Sequence, residues 1–244
     1  MLDLINVEKP ARYTGGEFNE IVKDHNLMLS SYAFCFPDTY EIGMSHLGMR
    51  ILYHVINKRE QTVCERVFAP WTDMEQQMRQ NKIPLFSLET KKPLYEFDIV
   101  GFTLQYEMSY TNILNMLDLA RIPIRREERN EQYPIIMAGG PCSVNPSTLD
   151  KVVDVFIIGE AEEAINEFLD LYEMMKKNGS TKDDFLKEAV NIEGVYVPKY
   201  HDIKKKVARR IIKDLDQVSF PTDPIVPYLN IVHDRASLEL FRGC

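Results

Sequence analysis

Apolar positions along this chain alternate between two spacings. Residues 27–36 form a mostly apolar run that halts at Pro37. Residues 45–57 follow, with Leu47, Ile51, Leu52, Val55 and Ile56 recurring at helical spacing. The two patterns predict a buried strand and then an amphipathic helix. The alternation repeats: strands are expected at 62–68, 97–104, 133–138 and 152–158, and helices at 71–81, 109–120 and 160–177. The last helix meets a stop pair, Asn178-Gly179. Residues 146–150 read as a single helical turn. Repeated strand–helix units call for parallel pairing with right-handed crossovers. Near-continuous apolar strands belong to a sheet covered on both faces. The expected fold is α/β, a doubly wound, mainly parallel, Rossmann-like or flavodoxin-like sheet over 20–178, behind a lead segment 1–19.

The pattern changes after Gly179. Residues 180–191 are polar and helical, and 194–200 and 207–214 read as the arms of a small β-hairpin, which together make a connector unit over 179–219. Pro221, Pro224 and Pro227 stiffen the next stretch, because each fixes its own φ and biases the preceding residue toward extended backbone. Residues 230–241 return to strand character and would begin a second domain within 220–244. The basic run Lys204-Lys205-Lys206 through Arg209-Arg210 reads as a solvated hairpin edge, where lysines discourage edge-to-edge pairing. A contact to an RNA substrate is the other reading.

Composition narrows the function classes. Hydrophobic residues make up 45% and charged residues 27% of the 244, a balance that can bury a core. No apolar run approaches the roughly 18–20 residues of a membrane span, and no signal peptide is expected from the first twelve residues. The cysteines, at 35, 64, 142 and 244, are too dispersed for a disulfide scaffold and suit a reducing cytoplasm. The net charge of -8 argues against this segment gripping DNA or RNA by itself. There is no GxSxG, HExxH, P-loop or GxGxxG.

In an open parallel sheet, ligands bind outside the carboxyl ends of the strands, near the point where strand order reverses. The distinctive residues gather at those ends. The first strand delivers Tyr40, Gly43, Ser45 and His46; the third delivers Thr103, Gln105, Tyr106 and Glu107. The fourth delivers Gly139, Gly140, Pro141 and Asn145; the fifth delivers Gly159 and Glu160. Each cluster alone has a structural reading: turns for Gly and Pro, a helix cap for Ser45, a helix dipole for Glu160. Four clusters on one edge offer small polar contacts and close backbone approach, which suits a large cofactor with amide arms and a phosphate tail.

The loop GGPC..NP at 139–146, followed by a buried strand and GEAEE at 159–163, resembles the cobalamin-binding domain that precedes the barrel in many radical-SAM proteins. PDTYEIGMSHLGMRILYHVIN, ERVFAPWTDME and GFTLQYEMSYTNIL extend the resemblance to one branch of cobalamin-binding and radical-SAM fusions. The segment HDRASLELFRGC resembles the barrel strand that enters the cluster motif CxxxCxxC, with Cys244 as its first cysteine and the other two expected beyond residue 244. The resemblance implies a cobalamin held on its nucleotide-tail side by the fourteen rim residues named above. It also implies a [4Fe–4S] cluster and S-adenosylmethionine in the full-length enzyme alone, with Cys244 one of three ligands and the barrel as the domain's own partner. The complete enzyme would methylate, or otherwise modify by radical chemistry, an unreactive carbon, and the present segment would not be catalytic. The DxHxxG signature is absent: His46 lies in SHLG, without an aspartate two positions earlier. The expected cofactor is therefore base-off, with no protein ligand on cobalt. Two alternatives stand beside this one. A structural module of the same fold would dock the barrel and a substrate, RNA among the candidates, without cobalamin. In the other, Cys35, Cys64 and Cys142 would hold a second cluster, as in radical-SAM methylthiotransferases, although Cys64 starts on the order of 10–14 Å of strand from the exit at roughly 3.3 Å per residue.

Overall fold

In the computed structural model the described residues are 4–201, 206–235 and 237–242. Six strands form one sheet: β1 Ser30–Phe36, β2 Thr62–Phe68, β3 Ile99–Thr103, β4 Ile135–Gly139, β5 Val155–Ile157 and β6 Val195–Tyr196, in the order β2-β1-β3-β4-β5-β6. The first five are parallel, and β6 runs antiparallel against β5. The helices are α1 Tyr40–Gly43, α2 Leu47–Asn57, α3 Thr72–Asn81, α4 Tyr110–Leu119, α5 Ala161–Lys177 and α6 Lys182–Ala189. The chain leaves β1 outward to β2, then returns across it to β3. The reversal of order therefore falls between β1 and β3, where such sheets bind ligands.

Burial on both faces explains the unbroken apolar strands. All seven residues of β1 are buried. Tyr32, Phe34 and Phe36 pack under α2, α5 and α6, against Met49, Ile56, Ile165 and Phe168. Ala33 and Cys35 face the other layer, under α3 and α4, with Met74, Met78, Ile113 and Met116. The doubly wound α/β reading holds in this arrangement.

The outer edge of β2 is covered by side chains. The Asn57 amide donates to Cys64 O at 2.9 Å and accepts from Cys64 N at 3.0 Å. Glu89 accepts from the Arg66 backbone N–H at 2.7 Å, and Leu88 N–H donates to Arg66 O at 2.7 Å. The Arg66 guanidinium, 1% exposed, also reaches Glu17, Glu20 and Glu89 at 2.6, 3.1 and 2.6 Å. The lead segment is thereby fastened to the sheet edge, and Phe18 bridges Val226 of the proline-rich stretch.

Three details differ from the sequence expectation. The arms of the expected hairpin both bond to the β5 end: Val195 and Tyr196 pair with Ile157 and Phe156, while Arg210 bridges Gly159 in parallel. Gly159 and Gly194 lie so close to Arg210 that a side chain on either would collide with it, at 2.2 and 2.8 Å. Lys204 and Lys205 lie outside the described residues. The expected strand at 230–241 is irregular among the described residues, with Leu238, Leu240 and Phe241 exposed; a strand needs a neighbour for its backbone groups, and none of the described strands pairs with it. Between β1 and α2 the chain also makes the short helix α1, which the apolar periodicity did not predict.

Candidate functional site

The helix-α2 face of the sheet carries two glycines where side chains would otherwise stand. Gly101 lies opposite Met137, and Thr103 lies opposite Gly139, in the β3–β4 register. A Cβ at Gly139 would meet nothing nearer than Ile157 O at 3.7 Å. The Tyr32 side chain fills the space over Gly101; the space over Gly139, walled by Ile51, Leu52 and Ile56 of α2 and Ile165 of α5, belongs to an apolar slot of about 420 Å³ that opens at the carboxyl rim. Tyr32 and Phe34 reach its floor from β1. A second lobe of about 340 Å³ lies beside it, lined by Phe36, Ser45, Tyr106 and Ser109 among others. His46 and Gln105 line both, so the lobes join at the point where strand order reverses.

A chain of hydrogen bonds crosses that junction. His46 caps α2, its Nδ1 accepting from Met49 N–H at 3.2 Å. Gln105 donates through Nε2 to Thr103 Oγ1 and shares a hydrogen bond with His46. With Nδ1 accepting from Met49 N–H, the neutral His46 carries its proton on Nε2, the ring nitrogen left to donate to the Gln105 side chain. Burial lowers the His46 pKa and keeps the ring neutral.

The rim residues named from sequence divide into two sets. Ser45, His46, Thr103, Gln105, Tyr106, Gly139, Gly140, Pro141, Gly159 and Glu160 line the lobes. The remaining four within the described residues do not. Tyr40 is buried with its hydroxyl on Glu17, and a side chain at Gly43 would strike Phe68 at 2.4 Å, so both serve packing. Glu107 is exposed and hydrogen-bonds the Cys142 thiol. Asn145 is exposed and takes a hydrogen bond from Ser147 at 2.7 Å. Within the lining set, Gly140 and Gly159 also have a backbone reason: φ is +111° and +106°, and a Cβ would meet Leu104 O at 2.9 Å and Arg210 O at 2.2 Å. Glu160 stands at the N-cap position of α5 without a side-chain cap bond, and its carboxylate is bound by Ile212 N–H and by Arg242 at 3.3 Å. Cys244 lies outside the described residues.

The slot walls, unlike the rim, were not singled out from sequence. Tyr32, Phe34, Ile51, Ile56, Met137 and Ile165 share the apolar signature of any core residue. The available signal was Gly101 within a strand, since a strand-interior glycine marks close approach of another group. The cysteine alternative meets a geometric obstacle: Cys35 and Cys64 point into opposite faces of the sheet. Burial raises both thiols well above their usual pKa.

Residues 48–198 match the family described as "Radical SAM proteins, N-terminal". The chain belongs to that family. The described part of this radical-SAM N-terminal chain has no helix long and apolar enough to cross a membrane. Uncharacterized protein MJ0966 of Methanocaldococcus jannaschii is 26% identical over 218 residues, covering 89% of this chain and 39% of that protein. The chain thus spans about two fifths of that relative's length. Among solved structures, the cobalamin-dependent S-adenosylmethionine radical enzyme OxsB, with aqua-cobalamin and S-adenosylmethionine bound, is similar at a TM-score of 0.49 and 18% identity, over 76% of this chain and 23% of that one.

Proposed function

We propose that this domain is the cobalamin-binding module of a radical-SAM enzyme. The supporting observation is the two-part cavity at the β1–β3 reversal. An apolar slot left open over Gly139 meets a polar junction of Thr103, Gln105 and His46. The slot suits the heterocyclic tail of the cofactor, and the junction suits the amide-bearing edge of its ring. His46 stays off the metal, because its Nε2 carries the proton and its Nδ1 holds the α2 cap. That arrangement supports a base-off cofactor with no protein ligand on cobalt. When bound, cobalamin supplies one-carbon transfer chemistry at its cobalt. The chain's residues bind, orient and shield it from water.

In the full-length enzyme, Cys244 would be one of three thiolates on a [4Fe–4S] cluster that works with S-adenosylmethionine, since one thiolate holds no such cluster. The domain's partner is then its own radical-SAM barrel, the substrate is a molecule with an unreactive carbon, and the setting is cytoplasmic. A second reading has its own support: the rim polar groups already satisfy one another, Thr103 with Gln105 and Glu160 with Arg242. In that case the module docks the barrel and the substrate, RNA among them, without cofactor.

One measurement separates the two. The purified chain is mixed with hydroxocobalamin, desalted, and its visible spectrum recorded. Retention of about one cofactor per chain is the expected outcome. A colourless protein after mixing well above micromolar concentration rules out the cobalamin reading in favour of the docking one.

A further inference from the structure

Tyr32 sits mid-strand in β1, and the phenol end of its side chain lies against Gly101 of β3. A Cβ at Gly101 would fall 1.8 Å from the phenol oxygen. The side chain needs that glycine, and Tyr32 is one of the residues that line the slot. Tyr32 is only 5% exposed. Its one hydrogen-bond partner among the described residues is Met137 Sδ at 3.6 Å, and a thioether is a weak acceptor. Buried tyrosine hydroxyls ordinarily find a full partner. Burial also holds the phenol well above its usual pKa, so it remains a donor. The polar groups at the junction already share hydrogen bonds with one another, Gln105 with Thr103 and with His46. A protonated donor thus stands at the bottom of an otherwise apolar slot with no proper acceptor.

We propose that Tyr32 selects the base at the end of the cofactor tail by donating a hydrogen bond to a ring nitrogen of that base. This rests on the cobalamin reading and adds a specificity to it. The walls of Phe34, Ile51, Leu52, Ile56 and Ile165 accept any flat aromatic group. The hydroxyl lies two residues below the rim residue Thr103, a depth of roughly 7 Å at about 3.3 Å per residue, within reach of a base inserted edge-first. A benzimidazole or purine that is not bound to cobalt presents a free nitrogen lone pair there. A phenolic base presents no ring nitrogen and leaves the buried donor without a partner. Sites that strand a buried polar group discriminate more strongly than sites that merely lose apolar contact. The domain therefore prefers cobamides with nitrogen-containing lower bases.

The test titrates the wild-type chain and Tyr32→Phe with three probes, following visible absorbance and equilibrium dialysis. The probes are cobalamin, a cobamide with a phenolic lower base, and cobinamide, which lacks the nucleotide tail. Wild type binds cobalamin more tightly than the phenolic cobamide. Tyr32→Phe weakens cobalamin binding about three- to tenfold, the range of one net hydrogen bond, and leaves the other two probes unchanged. Equal wild-type affinity for the two cobamides overturns the inference without needing the variant, and so does equal cobalamin affinity in both proteins or an equal loss for all three probes. In each of these cases cobalamin is still bound and the cofactor reading survives. If wild type binds none of the three, both fall together.

Discussion

Gly139, the last residue of β4, and its neighbour Gly140 are glycines for different reasons. Gly140 adopts a left-handed φ of +111°, and a Cβ there would press on Leu104 O at 2.9 Å. Replacing it with alanine should destabilise the fold by roughly 1–3 kcal/mol, the usual cost of such backbone conformations for a residue with a Cβ. Gly139 has no positive φ, and a Cβ there fits against Ile157 at 3.7–3.8 Å. The fold does not require a glycine at that position; the slot does. Gly139→Ala should leave the thermal midpoint within a few degrees of wild type. It should weaken cobalamin binding about tenfold, because a methyl group in a filled slot overpacks it by roughly 1–3 kcal/mol. Calorimetry and cobalamin titration on the same sample check both halves. Unchanged binding in Gly139→Ala would mean that the tail does not lie on this strip.

At the scale of elements, β2 and the lead segment meet at a charge cluster. Glu17, Glu20 and Glu89 surround the single Arg66 guanidinium, all nearly inaccessible to water. Burial pushes the Glu89 carboxyl up to about 7, against the opposing pull of Arg66. The folded protein therefore keeps a proton that the unfolded chain releases near the ordinary glutamate pKa of roughly 4.3. Stability contributed by that proton is full at low pH and is lost as pH rises from about 4.5 toward 7, by on the order of 3 kcal/mol. Urea unfolding of wild type should show a fall in stability across this window, and Glu89→Gln should flatten it. An identical slope in the variant would place the titration elsewhere. Little of this cluster was legible in the sequence. Strands and helices announce themselves by apolar periodicity, and β1 to β5 and α2 to α5 lie close to their expected ranges. Ion pairs between residues 17, 66 and 89 leave no periodic trace, so the lead segment read as a separate piece. The hairpin arms misled for a related reason: their alternation was real, but the glycines at 159 and 194 gave both arms a closer seat on the β5 end.

Over the whole molecule, the strand order β2-β1-β3-β4-β5 gathers turns from β1, β3, β4 and β5 at one rim, and that convergence could be read from the sequence once parallel pairing was assumed. The depth below the rim could not, because a slot wall and a core share one apolar composition. The later part of the chain completes the enclosure. His233 N–H donates to Ser45 Oγ at 3.1 Å, and Val232 and His233 line the outer lobe. Farther along, Glu239 and Arg242 line the slot mouth, with Arg242 bonded to Glu160, Glu162 and Glu239. If a ligand enters the slot past these pairs, they act as an ionic latch. The pairs are partly exposed, so dissolved salt screens them, and opening should become easier as ionic strength rises. The association rate of cobalamin, followed by stopped-flow absorbance, should therefore increase with salt for wild type. For Arg242→Ala it should be several-fold faster at low salt and nearly independent of salt. Electrostatic attraction of a ligand would produce the opposite trend, slower association as salt is added, so the sign of the dependence decides between a latch and a lure. A wild-type rate that falls with salt, or an Arg242→Ala rate equal to wild type, would remove the latch from the description of this site.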